Sequence, residues 1–535
     1  MRHFLTIFFI FISVSIFSQQ PDTTKINFLN ANRFFTTEEL GPENKIFVGE
    51  VVLVHDSTTF FCDSAIFNSK EKKVDAFGNI EIQRLYNYYD TIFIYGDTLH
   101  YNGISRKLTI LNNVKFLQDT TELTSNHVDY DIDENFGKYI GGGKITSGSD
   151  TIISDVGYYY ARTKDVFFKK DVVVKSKKAK LYTDTLKHNL NTRISYILGP
   201  SEIYNDSSYI YTEFGRYDYN ENRAYLSKHS RVISGEHTIE ADSLFFDRAN
   251  GIGKGFGNVK ITDTIQNLIL KGNYGEFHNE NQYSMMTDSA IFIEIENRDT
   301  LWMHSDTLKT FIDTLFDYND VIPFRVIYGY HHVKIYKKDL QVKTDSLVYS
   351  QLDSVISLFG SPVIWSEDNQ LYANYIELSL ADNEPKEMNM YDSAYISQKA
   401  DSGQFNVTKG DFVHAIFKKS KVYKVSVVNN ITVVYYLKDD KDSSTIGISN
   451  LTCDSMTIWM KNNKIDLLVP YSGPKGNIYP PDKVPKGKDK IPGFMWFEDY
   501  RPYKPEDIFI WLKKEPVKKE DTVEEIEETE EDIND

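Results

Sequence analysis

One heptapeptide, Tyr95-Gly96-Asp97-Thr98-Leu99-His100-Tyr101, returns along almost the whole chain as acid, spacer, aliphatic, polar, aromatic. With Asp97 as the mark, equivalents stand at Asp63, Asn126, Asp155, Asp184, Glu213, Asp242, Asn273, Asp306, Asp345, Asn374, Asp411 and Asp454. The successive gaps are 34, 29, 29, 29, 29, 29, 31, 33, 39, 29, 37 and 43 residues. Five consecutive gaps of 29 define a repeat protein, in which each unit packs on its neighbours. A chain of 535 residues is too long for one compact core, which stops growing at ~250–300 residues, whereas a stacked array escapes that limit.

Two residues after the mark, every unit carries an aliphatic residue or Gly: Ala65, Leu99, Val128, Gly157, Leu186, Gly215, Leu244, Gly275, Leu308, Leu347, Ile376, Val413 and Met456. Four after it, Phe67, Tyr101, Tyr130, Tyr159, Tyr217, Phe246, Phe277 and Tyr349 are aromatic, and the position between is polar or mixed. Alternation with period two is the pattern of a half-buried strand. Polar stretches such as Asn68-Ser69-Lys70-Glu71-Lys72 and Asn102-Gly103-Ile104-Ser105-Arg106 then read as hairpin loops.

A second punctuation follows the returning strand: Gly78-Asn79, Asn112-Asn113 and Gly257-Asn258, with Asp171 and Ser361 in the same place in their units. Gly and Asn tolerate a sharp backbone bend, so this is where one long strand passes from one sheet to another. Each unit therefore makes two long bent strands with the apolar side chains inside the bend. Stacked antiparallel, such units predict an all-β, long antiparallel β-jellyroll of the folded-sheet kind over residues 26–465. Ile26 to Phe35 reads as a worn first unit marked by Asn32.

The ends differ from this body. Arg2 and His3 precede an apolar run from Phe4 to Ile12, continued by Val14, Ile16 and Phe17, which reads as a secretory signal peptide over 1–18, too short for the ~20 residues of a spanning helix. Nine of the fifteen prolines lie between Pro470 and Pro516, marking 466–514 as an irregular segment whose Gly493-Phe494-Met495-Trp496-Phe497 is an aromatic cap. Residues 515–535 hold eleven acids against Lys518 and Lys519, a disordered acidic tail carrying −9 of the net −17. An acidic chain without basic clusters excludes nucleic acid as a partner class. Cys62 and Cys453, near opposite ends of the array, read as buried hydrophobes and not as a disulfide.

The tandem Gly-Asn-Val and Ala/Ser-Asp-x-Leu-x-Tyr pattern, clearest over 49–126 and 241–261, resembles the OstA-like proteins, relatives of LptA and of the N-terminal domain of LptD. The resemblance implies an LptA-like β-jellyroll in the periplasm that carries lipopolysaccharide or a related lipid with its acyl chains inside. It also implies docking by strand-edge pairing to like-folded transport proteins, an inner-membrane ABC transporter complex and an outer-membrane translocon as partners, and no cofactor. This chain departs from the family in its length, in lacking the barrel of LptD and in its acidic tail.

Chemistry is sparse. The mark carboxylates Asp63, Asp97, Asp184, Asp242 and Asp345 read as structural turn acids accepting backbone N–H groups, since Asn replaces Asp at three units. The Gly-rich run Gly251 to Gly257 lacks dinucleotide spacing and reads as a hairpin running into a corner, and His331-His332 alternates faces of a strand without a metal-spaced partner. No HExxH, GxSxG or P-loop occurs, so no catalytic or metal residue is assigned. The candidate site is the inner face, with Leu99, Tyr101, Val128, Tyr130, Leu186, Leu244, Phe246, Leu347 and Tyr349 as groove residues and Gly157, Gly215 and Gly275 leaving room for a ligand. Two facing sheets packed as a dry core fit the same pattern. A parallel β-helix acting on polysaccharide, an outer-membrane barrel and an envelope adhesin or scaffold are the competing readings.

Overall fold

The computed structural model describes residues 25–511 apart from 88–89, 119, 161, 178, 206–207, 236, 265–266, 279–281, 297–298, 318–319, 383, 420, 440–443 and 462–463. The expected signal peptide at 1–18 and acidic tail at 515–535 lie outside these residues. The chain forms two units, Met1–Gly235 with Ser243–Ala249, and Glu236–Asp242 with Asn250–Asp535.

In the first unit the strands Asn44–His55, Thr58–Asn68, Lys73–Asn87, Asp90–Asn102, Lys107–Gln118, Thr121–Asp131 and Phe136–Ser147 follow one another, each antiparallel to the next. The ladder runs on in the same manner through Asp150–Tyr160 to Arg223–Ser234. Among the described strands every pairing is antiparallel, so the parallel coil is set aside and the long antiparallel folded sheet is the fold.

The bend has a residue-level cause. Opposite the mark the partner strand carries a pair of residues, as a rule both left-handed: Gly78 and Asn79 (φ 76° and 42°) face Asp63, and Asn112 and Asn113 (62° and 51°) lie beside Asp97, whereas beside Asp184 only Gly199 (117°) of Gly199-Pro200 is left-handed. Two residues against one is a β-bulge, and it turns every strand at the same level. Glycine suits this corner because a Cβ on Gly78 would lie 2.4 Å from Asp63 Oδ2, and one on Gly257 equally close to Asp242 Oδ2. The carboxylate is then tied down from the side: Asn79 Nδ2 donates to Asp63 Oδ2 (2.9 Å), Asn113 to Asp97 (2.7 Å) and Asn258 to Asp242 (2.9 Å).

Asp63, Asp97 and Asp242 thus accept side-chain amides, Asp184 and Asp345 accept the hydroxyls of Thr185 (2.9 Å) and Ser346 (2.8 Å), and the backbone role falls five residues later. Asn68 Oδ1 accepts the N–H groups of Lys70 and Glu71 at 3.1 and 2.8 Å, and Asn102, Asp131, Asn189 and Asp218 cap the following hairpins in the same way. His331 and His332 also differ from their expected place. They form a corner pair (φ 56° and 53°), with His332 Nδ1 2.7 Å from Asp306 Oδ2.

The second unit repeats the scheme in Ile252–Asp263, Leu268–His278 and Tyr283–Glu296. Between Val333 and Ala381 the bend breaks the strands outright. Leu340–Thr344 and Ser346–Ser350 flank Asp345 as separate short strands, and long strands resume at Glu384–Asp401. The ladder closes with Lys464–Tyr471 and Lys475–Tyr479.

Beyond Tyr479 the Pro-rich segment lies along outward-facing side chains of this unit. Val342 and Thr344 are buried inward, so Gln341 and Lys343 point outward. Arg501 Nε donates to Gln341 Oε1 (2.8 Å), Gln370 Nε2 to the Met495 carbonyl (2.9 Å) and Phe497 N to Gln370 Oε1 (2.7 Å). Phe494 and Ile491 join Tyr395, Val407, Val434 and Tyr436 in a second apolar cluster on that side.

Candidate functional site

Each bent strand has two arms, one before the mark and one after it. All thirteen positions two residues after the mark are buried, from Ala65 to Met456. On the arm before the mark the inward positions lie one and three residues upstream, as Cys62 and Phe60 show. The position three upstream is apolar in twelve of thirteen units: Phe60, Ile94, Leu123, Ile152, Leu181, Ile210, Ile239, Leu270, Met303, Val342, Leu371 and Leu451, with Thr408 the exception. This wall was missed in the sequence reading, although the same period-two pattern marks it.

At the start of the first unit the two arms meet and exclude water. Phe60 and Tyr101, on opposite arms, have ring centroids 4.9 Å apart, and His55 Nδ1 is hydrogen-bonded to the Tyr101 hydroxyl. Leu53, Ile82 and Ile94 are as buried as Leu99, Val128 and Tyr130 opposite them. Burial pushes the Tyr101 hydroxyl up to about 12 against the opposing pull of Arg106. The hairpin tips are clasped as well. Arg106 bridges Asp56 on one arm and Asp133 (3.3 Å), and Arg84 donates to the Tyr130 hydroxyl (3.3 Å) and the Ile132 carbonyl (3.4 Å). Burial, then Asp63, raises the Cys62 thiol to about 12, so it behaves as an inert apolar filler.

Further along the same unit the arms part. Leu123, Ile145, Ile152, Val174, Leu181 and Ile203 pack against the core yet stay half-buried, and Tyr159, His188 and Tyr217 on the facing arm are half-buried too. His188 stands where most units carry Tyr or Phe. Burial, then Arg193, holds its pKa below the usual histidine value, so the ring is neutral at neutral pH and hydrogen-bonds Ser195 Oγ (2.9 Å).

The sequence-predicted groove residues divide accordingly. Leu99, Tyr101, Val128 and Tyr130 belong to the closed stretch; Leu186 and Leu244 are buried beside the corner; Phe246 is half-buried. In the second unit Leu347 is buried and Tyr349 half-buried. The glycines expected to leave room are filled from their neighbours. A Cβ on Gly157 would sit 2.1 Å from the Tyr139 ring, whose hydroxyl bonds Ser154 Oγ (2.6 Å), while Ile197 lies over Gly215 and Val259 over Gly275, each at 3.2 Å.

These features define a class: an antiparallel repeat of bent strands with an apolar inner face, closed in one stretch and open in another. Residues 23–184, under a third of the chain, match the family described as OstA-like protein, so this segment is OstA-like, as the repeat motifs implied. No curated protein matches. Among solved structures, part of the chain is similar to "LptH, the LptA homologous periplasmic component of the conserved lipopolysaccharide transport device from Pseudomonas aeruginosa". The two are 16% identical over 20% of this chain and 76% of that one, with a TM-score of 0.19.

Proposed function

We propose that this protein is a periplasmic, non-enzymatic carrier that holds the acyl chains of lipopolysaccharide or a related lipid against its inner face and passes them towards the outer membrane. The observation that carries this reading is the partly buried apolar wall of the first unit, Leu123, Ile152, Val174, Leu181 and Ile203, facing Tyr159, His188 and Tyr217. An inner wall that its own fold leaves part-solvated gains ~0.8 kcal/mol for each lipid CH₂ it takes from water. Repetition makes neighbouring positions nearly equal in energy, so a chain slides when pushed from one end.

The push belongs to an inner-membrane ABC transporter complex and the receipt to an outer-membrane translocon, with like-folded proteins paired at the sheet edges. In this reading Leu186, Leu244 and Phe246 line the lipid path of the first unit together with the newly identified wall, and Leu347 and Tyr349 line that of the second. Phosphate head groups remain outside in water, where divalent ions screen them from the acidic chain. The test is photo-crosslinking in cells. A light-activated residue at Ile152 or Leu181 captures lipopolysaccharide, whereas one at the outward Lys187 does not. Equal or absent capture at the two faces would overturn the proposal.

A further inference from the structure

The worn first repeat stoppers one end of the inner face. Asn27–Asn30 pairs with Asn44–His55 so that Phe28 lies opposite the inward Leu53, and a bulge at Leu29 throws that side chain out into solvent. Phe28, four residues before Asn32, therefore takes the inward place that in other repeats falls three before the mark. Its ring reaches the opposite arm, stacked on Phe47 (centroids 3.8 Å, 8°) and tilted on Phe67 (5.1 Å, 57°). Buried Ile26 closes the mouth beside it by lying over Gly103 in the opposite hairpin, where a Cβ would come within 2.9 Å of the Ile26 Cδ1.

The side of the same unit opens in the order of the repeats. Six residues after the mark, at the hairpin tip, the backbone N–H groups of Gly103, Ile132, Leu190 and Tyr219 donate to the carbonyls of Lys72, Arg106, Lys164 and Arg193 in the preceding hairpins (2.8 to 3.1 Å), so these four positions are equivalent. Gly103 is covered by Ile26, and Ile132 is 6% exposed beside the Arg84 clasp. Leu190 and Tyr219, by contrast, are 49% and 50% exposed. Tyr219 stands edge-on to the inner-face rings of His188 (6.0 Å, 88°) and Tyr217 (4.6 Å, 84°), which makes this position the lip of the half-buried wall.

We infer that acyl chains enter the first unit sideways, past Leu190 and Tyr219, and that the end of the unit at Phe28 is blind. Entry through that end has to displace Phe28 and Ile26 and then part a dry stretch held by Phe60 on Tyr101 and by the bridge from Arg106 to Asp56. Entry at the lip displaces only the water that already covers apolar side chains. A like-folded partner paired on Asn27–Asn30 would then share backbone hydrogen bonds with this chain and not a continuous groove.

This inference rests on the lipid reading and adds the route. The full chain, carrying a light-activated residue at Ile152, is mixed with purified lipopolysaccharide, and the rate of capture is read on denaturing gels. Leu190→Asp combined with Tyr219→Asp puts charge on the lip and slows capture about tenfold, the scale of one lost leucine contact. Ile104→Asp, on the exposed tip (59%) of a clasped hairpin, leaves the rate unchanged, and so does Phe28→Ala, which removes the stopper ring. Faster capture in Phe28→Ala, an unchanged rate in the lip variant, or equal slowing by Ile104→Asp overturns sideways entry and leaves the carrier reading in place. No capture at Ile152 in the otherwise wild-type chain overturns both.

Discussion

Ile94 and Ile152 are the same residue at the same place in the repeat, three before the mark, and they give the most direct measure of whether the inner face is packed or open. Ile94 is 3% exposed, between Ile82 and Phe116 on the neighbouring strands. Ile152 lies between Ile145 and Val174 and is half-buried. Truncating a fully buried isoleucine to alanine removes its transfer free energy and leaves a cavity, ~3 kcal/mol in all. At Ile152 part of that surface is already in water and solvent fills the space, so the cavity contribution vanishes and ~1–1.5 kcal/mol remains. Urea unfolding of the two variants, read from the transition of the first unit, should separate by ~1.5–2 kcal/mol at constant slope. Losses of ~3 kcal/mol at both sites would mean that the arms pack dry throughout, and the groove reading would fail with them.

Two further perturbations probe the corner and the outer segment. Gly78→Ala places a Cβ at φ 76° and 2.4 Å from Asp63 Oδ2; the left-handed conformation costs ~1 kcal/mol and the displaced Asp63–Asn79 bond about as much again. In an Asp63→Ala background only the first part should remain, and a cost unchanged by that background would refute the fit described for the corner. At the outer segment, burial lowers the Lys334 pKa to about 8 against the opposing pull of Asp507, and its ammonium donates to the Ile510 carbonyl. Above pH 8 the folded chain gives up a proton that the unfolded chain keeps up to 10.5, so stability should rise across that window. Lys334→Met should flatten the rise in denaturant midpoint relative to wild type, and an identical pH profile in the variant would refute it.

The fold was legible because its causes are local. A left-handed Gly-Asn pair announces the bend, an Asn or Asp five residues after the mark announces the hairpin, and alternation assigns the faces; none of these needs a distant partner. The assignment of hydrogen bonds was less secure, since Asp63 meets its donor sixteen positions away, across the sheet at Asn79. The wall before the mark was overlooked because the reading was anchored on the aromatic arm after it. The attachment of the chain beyond Tyr479 was not legible at all. Its contacts join Arg501 to Gln341 and Phe497 to Gln370, over separations that no periodicity encodes. Nor was the difference between Ile94 and Ile152, which depends on what the facing arm, several strands away, brings to each.

One sequence signal does follow the opening of the first unit. At each corner the residue just before the mark is placed within reach of the carbonyl just past it. In the closed stretch that residue is Cys62 or Gly96; where the arms part it becomes Ser125, Ser154, Thr183 and Thr212. Each of these hydroxyls donates back to the carbonyl two residues on, at 3.3, 3.1, 3.4 and 2.8 Å. Such a hydrogen bond contributes about 1 kcal/mol, so these hydroxyls help hold the crease together where packing across the arms no longer does. The crease of the open stretch is therefore polar and internally satisfied while its walls stay apolar. An acyl chain would contact the walls and gain nothing from the crease, which leaves the lipid without a polar anchor along its path and free to move.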